Sequence, residues 1–115
     1  LGFLLGEPQA YEADDLVPKK ETAESTQKIL RAVAPLVSEV PSLSDEENEA
    51  RFREKAESLG TKLGSVLMPI RIALTGSRVS PPLFGSIRLL GAQVSRERVE
   101  KAIRLLDQTE ERAEL

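Results

Sequence analysis

The chain has 115 residues, the length of one small domain, with a net charge of −3, 40% hydrophobic residues and neither cysteine nor histidine. This composition excludes disulfides, thiol nucleophiles, histidine general bases and the usual zinc sites. Aromatic residues make up only 3%, so we expect a core of Leu, Val, Ile and Ala, as in a helical bundle.

Charge is distributed unevenly along the sequence. Residues 1–59 carry 13 acidic and 7 basic side chains, whereas residues 62–104 carry 2 acidic and 8 basic ones. Local charge of this kind determines where a polyanion can approach a protein. The counts also fit two solvated helical faces of opposite sign that pair with each other, and charge alone favours this alternative.

Residues 1–20 are predicted to form a linker or arm from an upstream domain. The opening Leu1-Gly2-Phe3-Leu4-Leu5 is interpreted as the end of a helix from that domain, with a strand or an ordered arm as the alternative. This run is too short for a secretory signal, and no apolar run is long enough to cross a bilayer. Tyr11, Leu16 and Val17 are expected to anchor the arm.

Residues 21–115 are predicted to form the domain itself, and its first helix is expected over residues 22–40. Apolar residues recur there at spacings of three and four, and Thr22 is a suitable N-cap. Pro35 lies inside this pattern. It predicts a kink near Arg31 or a break into two short helices.

The second predicted helix has the strongest local start signal in the chain. It begins at Ser44, where Ser-Asp-Glu-Glu forms a capping box with Glu47, and it continues to Leu59 before Gly60. Its acidic first turn is interpreted as a solvated face that complements the helix dipole.

The third predicted helix covers residues 62–74 and is mostly apolar. Pro69 lies beyond its first turn and should bend it. Gly76 is suited to the left-handed position that follows a helix. Arg71 falls beside the apolar stripe of this helix, not opposite it.

A fourth helix is predicted to start with Ser80 as N-cap and Pro81 at the first helical position. It should stop at Gly91. A fifth helix is predicted over residues 93–109, followed by a frayed tail.

The five predicted helices and their short turns indicate a compact, irregular all-α bundle. Phosphate-binding glycine motifs and metal-ligand spacings are absent from the sequence. We therefore expect this chain alone to be inactive as an enzyme and to hold no cofactor.

The junction between the third and fourth helices suits recognition of an unstacked RNA base. Single-stranded RNA is read by stacking bases on rings and by hydrogen bonding their edges. Arg71 supplies a rigid fork of donors, and Phe84 supplies a ring. The residues alone leave alternatives open: Phe84 can pack in the core, Arg71 can pair with a carboxylate, and Ser80 can simply cap a helix. Similar connections also occur in DNA-binding domains.

The run from Pro69 to Phe84 also resembles a known family. It is similar to signatures in the C-terminal anticodon-binding region of bacterial-type glutamyl-tRNA synthetases, through P-I-R-I-A-L-T-G and S-P-P-L-F. The L-L-G at residues 89–91 continues the similarity. The similarity extends to Leu16-Val17-Pro18-Lys19-Lys20 and to Leu59-Gly60, so it covers nearly the whole chain. It implies an all-helical cage that grips an anticodon loop. The parent would be a class I ligase that uses ATP and Mg²⁺ to charge glutamate onto tRNA, with its catalytic domain upstream.

The resemblance further implies partners and RNA-binding residues. The expected partner is the tRNA for glutamate, with the tRNA for glutamine as a further candidate, and the parent is expected to be a cytoplasmic monomer. Arg71 would hydrogen-bond an anticodon base, and Met68 would face the loop. Ser80, Pro81 and Leu83 would surround another base, and Phe84 would stack or pack beside it. The alternative function is a helical protein–protein interaction domain with an acidic half and a basic half.

Overall fold

A computed structural model describes the backbone of residues 11–76 and 82–114, and the side chains of these residues as far as Asp107. In this part of the chain all regular structure is helical, which confirms the predicted all-α class. A 3₁₀ turn covers Val40–Ser42. The α-helices are α1 (Ala13–Leu16), α2 (Ala23–Glu39), α3 (Asp45–Ser58), α4 (Leu63–Thr75), α5 (Leu83–Leu90) and α6 (Ala92–Glu114).

Helices α2 and α6 form the central pair and pack most extensively. They run antiparallel: Gln27, near the start of α2, donates to the carbonyl of Ile103 at 3.2 Å, and Ser38, near its end, accepts from Arg96 at 3.2 Å. Burial of each large apolar side chain between helices stabilises the fold by about 1.5–3 kcal/mol. The buried residues of this pair include Ile29, Leu30, Val33, Val37, Val99, Ala102 and Leu106.

Helix α2 is continuous from Ala23 to Glu39, with Pro35 inside it. The alternative prediction of two short helices is therefore wrong. Pro35 is exposed, so the one lost backbone bond falls on the solvent side of a helix whose other face is held by packing. Thr22 caps the helix as predicted, since its hydroxyl accepts from the amide of Ser25 at 3.0 Å.

Helix α3 begins with the predicted capping box. The amide of Glu47 donates to the Ser44 hydroxyl at 3.2 Å, and the amide of Ser44 donates to the Glu47 carboxylate at 3.2 Å. Only Asn48, Phe52 and Ala56 of this helix are buried. Asn48 donates to the carbonyl of Val40 at 3.1 Å, which ties α3 to the preceding turn.

Helix α1 was not predicted, because a four-residue helix is too short to show a hydrophobic period. Leu16 is fully buried in the main core, and Tyr11 and Val17 pack against it. Burial raises the pKa of the Tyr11 phenol above its ordinary value. All three residues therefore contact the helical body, as expected of anchors.

Gly91 joins α5 directly to α6. Its amide donates to the carbonyl of Ile87 at 2.8 Å, and its own carbonyl accepts from the amide of Ser95 at 3.1 Å. Its φ of 89° and ψ of 158° lie in a region that is open almost only to glycine. One residue thus ends one helix and starts the next.

Two predicted boundaries differ from the structure. Helix α5 begins at Leu83 with Pro82 in the N-cap position, two residues later than predicted. Helix α6 extends to Glu114, so the predicted end near Thr109 is wrong. No proline or glycine stops α6 there, and most residues of its last turns are good helix formers.

Candidate nucleic-acid interface

Arg71 is the one charged residue of α4. It lies between the buried residues Ile70 and Ile72 and is itself half-buried. Its guanidinium makes neither a hydrogen bond nor an ion pair with any group in the described part of the chain. The alternative that Arg71 pairs with a carboxylate of the bundle therefore finds no support among these residues.

Three interactions among the described residues hold the end of α4 just beyond Arg71. The Thr75 hydroxyl donates to the carbonyl of Arg71 at 2.9 Å. Gly76 adopts the predicted left-handed conformation (φ 76°, ψ 7°), and its amide donates to the carbonyl of Ile72 at 2.7 Å. Arg98 of α6 donates to the carbonyl of Leu74 at 2.6 Å. The backbone that carries Arg71 is therefore fixed from within and from outside the helix.

On the other side of the connection, Pro82 is exposed and its carbonyl accepts from the amide of Ser86 at 3.0 Å. Leu83 is 4% exposed and belongs to the core. Phe84 is half-buried, and its ring lies 5.7 Å from that of Phe52 between centroids, tilted by 35°. This tilted aromatic pair anchors the first turn of α5 on α3.

The six predicted RNA-binding residues thus have different positions. Arg71 and Phe84 are half-buried residues of the two helices that the connection joins. Met68 is half-buried one turn before Arg71, and residues three apart share a helix face. The Leu83 side chain faces the core, which leaves its backbone for a ligand. Ser80 and Pro81 lie outside the described residues. RNA binding by this set stays a prediction.

Several described basic residues of region 62–104 form no ion pair with the described carboxylates of the acidic half of the chain. Arg88 does pair with Asp45 at 2.5 Å. Arg96 pairs instead with Glu100 of its own helix at 3.6 Å. Three further basic residues resemble Arg71 in forming no ion pair with a described carboxylate: Lys62, Lys101 and Arg104. Among the ion pairs of the described residues, the Arg88–Asp45 pair is the one that joins a basic residue of this region to the acidic half, as the alternative of mutual pairing requires.

A cleft of about 320 Å³ lies between α2 and α6 and is also rich in charge. Arg31 binds Asp107 across it at 3.3 Å, and Gln27 donates to the same carboxylate. Arg96 reaches Ser38 from the other end. These groups bind one another across the cleft, so we interpret the cleft as a polar seam between two packed helices.

Other classes of site are not found in the part of the chain that the structure describes. No group of three or more acidic, cysteine or histidine side chains is placed to hold a metal ion there. Over residues 11–76 and 82–114, no helix is both long and apolar enough to cross a membrane.

Sequence reasoning missed the position of Arg98. Helical periodicity predicts that Arg98 lies on the outward or sideways face of its helix, but its guanidinium contacts a carbonyl 24 residues earlier in the chain. A helical pattern predicts the direction in which a side chain leaves its helix. It does not predict which other helix that side chain contacts. The basic character of α6 was the only available signal.

Comparisons with known proteins give a consistent result. The sequence profile described as "Anticodon binding domain" matches residues 1–103. The chain is 42% identical over 101 residues to a glutamate–tRNA ligase of Treponema denticola, covering 88% of this chain and 20% of the relative. It is 40% identical over 100 residues to that of Borreliella burgdorferi, covering 87% and 20%. The chain spans about a fifth of the length of these curated relatives.

Proposed function

The chain belongs to the anticodon binding domain family, and we propose that it binds the anticodon loop of a tRNA as the RNA-gripping part of a glutamate–tRNA ligase. The similar ligases of Treponema denticola and Borreliella burgdorferi support this proposal through their names and their identity with the chain. The segment that resembles a synthetase signature in sequence is also the one that joins α4 to α5.

The observation that carries the proposal is the guanidinium of Arg71, which lies near a fixed helix end and has no partner among the described residues. A half-buried charge is normally compensated, because losing water costs free energy. Arg71 has no such partner in the described part of the chain. A base edge or a phosphate would supply the missing acceptors, and a preorganised donor loses little entropy on binding.

The other residues complete the proposed site. Phe84 offers the part of its ring that does not face Phe52 for stacking on a base. Met68 lies one turn before Arg71 on α4 and would extend the surface that Arg71 offers. Ser80, Pro81 and the backbone of Leu83 would surround a second base.

For the parent protein, we propose the reaction that its relatives' name describes, the joining of glutamate to tRNA. ATP and Mg²⁺ would act in a catalytic part outside this chain. The tRNA for glutamate is the proposed substrate, with the tRNA for glutamine as a second candidate. The parent would work as a cytoplasmic monomer.

Binding of RNA hairpins to the 115-residue chain tests the proposal. One hairpin carries a glutamate anticodon loop, and a matched hairpin keeps the stem but has a scrambled loop. Fluorescence anisotropy should show tighter binding to the first, with an affinity that falls steeply between about 50 and 200 mM salt as counterions are released. Equal affinity for both loops, or no RNA binding at low salt, would contradict the proposal and favour a protein-interaction domain.

An amide chemical-shift map with the glutamate hairpin locates the interface. The largest shifts should surround Arg71, Gly76 and Phe84, while residues of the exposed acidic face of α3 should stay unchanged. Shifts confined to α3 would place the interface elsewhere.

A further inference from the structure

We propose that Arg98 is a positioning residue that fixes Arg71 relative to Phe84 for RNA reading. This inference rests on the function proposed above. Arg98 is half-buried on α6, and its Nη1 lies 2.6 Å from the carbonyl oxygen of Leu74 in the last turn of α4. Through this bond it touches the helix that carries Arg71.

The bond is suited to holding a helix end. The last four carbonyls of a helix have no donor from within the helix, and they carry the negative end of its dipole. A guanidinium therefore satisfies the Leu74 carbonyl both as a donor and as a charge. The side chain of Leu74 is fully buried, so the atom that Arg98 grips belongs to a well-packed residue.

Helix α6, which carries Arg98, is itself packed in the core. Val99 and Ala102, which follow Arg98 in sequence, are fully buried, and Leu106 continues the buried face. A tether to α6 is thus a tether to the main core and not to a surface element.

Arg98 and Gly91 together link the two helices of the connection by a second path through α6. The chain runs from α4 through the connection to α5, and Gly91 joins α5 to α6 without a loop. Arg98 then joins α6 back to the end of α4. Arg71 before the connection and Phe84 after it are consequently linked in two ways. One link is the connection itself, and the other runs through α5, Gly91, α6 and Arg98. A recognition site held to a fraction of an ångström binds better than the same residues on a loose support.

Arg98→Gln tests the proposal, because glutamine keeps a donor but loses both the reach and the charge of arginine. The affinity for the glutamate hairpin should fall about tenfold, whereas the affinity for the scrambled hairpin should change about twofold or less. Arg98→Lys keeps the charge and a single point donor, so it should recover part of the loss. Circular dichroism verifies that each variant folds.

Lys101→Gln is the matched control. Lys101 is exposed on the same helix one turn further on, and it makes no hydrogen bond or ion pair with the described residues. Its loss removes the same charge without touching α4. Both hairpins should then weaken by similar factors of about two or less.

Hydrogen exchange of the free protein separates positioning from RNA contact. The amide of Gly76 should exchange about tenfold faster in Arg98→Gln, while amides of Val99 and Ala102 keep their protection, because only the end of α4 loosens. If Arg98→Gln weakens both hairpins equally, as Lys101→Gln does, or leaves Gly76 protected, the positioning role is wrong. If the wild-type chain shows no preference for the glutamate loop, the proposed function itself fails, and the role of Arg98 in reading RNA fails with it.

Discussion

Helices α3 and α4 follow each other in sequence and use charge in opposite ways. Nine of the 14 residues of α3 are charged, and three residues of the helix are buried. Of the 13 residues of α4, one is charged and seven are buried. The first is a surface helix that covers the core with one narrow face, and the second is a core helix that carries a single cation.

The difference lies in what each charge binds. On α3, Arg51 pairs with Glu39 at 2.5 Å, Arg53 pairs with Glu49 at 2.8 Å, and Asp45 accepts from Arg88. On α4, Arg71 has no partner among the described residues. A dense set of charges, several of which have partners, indicates a solvated face, whereas a half-buried charge without a described partner on an apolar helix indicates a ligand.

Phe52 should have the largest effect on stability, because it is the one large apolar anchor of α3. Its side chain is fully buried and contacts the ring of Phe84. Phe52→Ala should lower the free energy of unfolding by about 3–5 kcal/mol, as measured by urea denaturation. A loss under about 1 kcal/mol would mean that α3 is not fastened through this ring.

Arg71→Ala and Arg53→Ala are a matched pair that tests the comparison directly. Arg71→Ala should weaken binding of the glutamate hairpin by about 1–3 kcal/mol and change the free energy of unfolding by no more than about 0.5 kcal/mol. Arg53→Ala removes the same charge from α3 and breaks an exposed pair, which should cost about 0.3–0.5 kcal/mol of stability. It should leave hairpin affinity unchanged. If Arg71→Ala unfolds the chain while Arg53→Ala does not, Arg71 is structural.

Alanine substitutions of Gly76 and Gly64, at opposite ends of α4, should have opposite effects on stability. Gly76→Ala forces a side chain into a left-handed conformation and should destabilise the chain by about 1–2 kcal/mol. Gly64 lies in the first turn of the same helix, and a methyl group there meets nothing within 4 Å. Gly64→Ala should therefore stabilise the chain by about 0.5 kcal/mol. Thermal unfolding measures both, and equal signs would contradict the assigned role of Gly76.

Ser44→Ala should lower stability without affecting the proposed RNA site. It leaves the amide of Glu47 without the hydroxyl that it now binds at 3.2 Å, and loss of such a cap costs about 1 kcal/mol. Hairpin affinity should not change, since the cap lies at the acidic end of α3. Ser44→Asp restores an acceptor and should recover most of the stability in the same denaturation experiment.

Local features of the fold were predictable from sequence. The starts of α2 and α3 follow from Thr22 and Ser44, because a capping side chain bonds amides two or three residues away. Gly76 and Gly91 were identified for the same reason, since backbone conformation is set within a residue or two. Features that depend on packing were not: the short α1 is held by burial of Leu16 in the main core.

The candidate site was predictable to a similar degree. Arg71 and Phe84 were proposed from residue type and motif, and their half-buried positions came from the structure. The lack of a partner for Arg71 among the described residues could not be predicted, because it depends on distances to many carboxylates that are remote in sequence. The contact of Arg98 with Leu74 likewise joins helices that are remote in sequence.

The junction at Gly91 has a consequence for changes in chain length. Because α6 starts at the residue that ends α5, no spare residue exists to absorb an insertion. One added residue would rotate α6 by roughly 100° about its axis, turning Ser95, Val99 and Ala102 away from the core. Epitope tags and fusion partners should therefore be placed in other connections, since this corner fixes the helical phase of the last fifth of the protein.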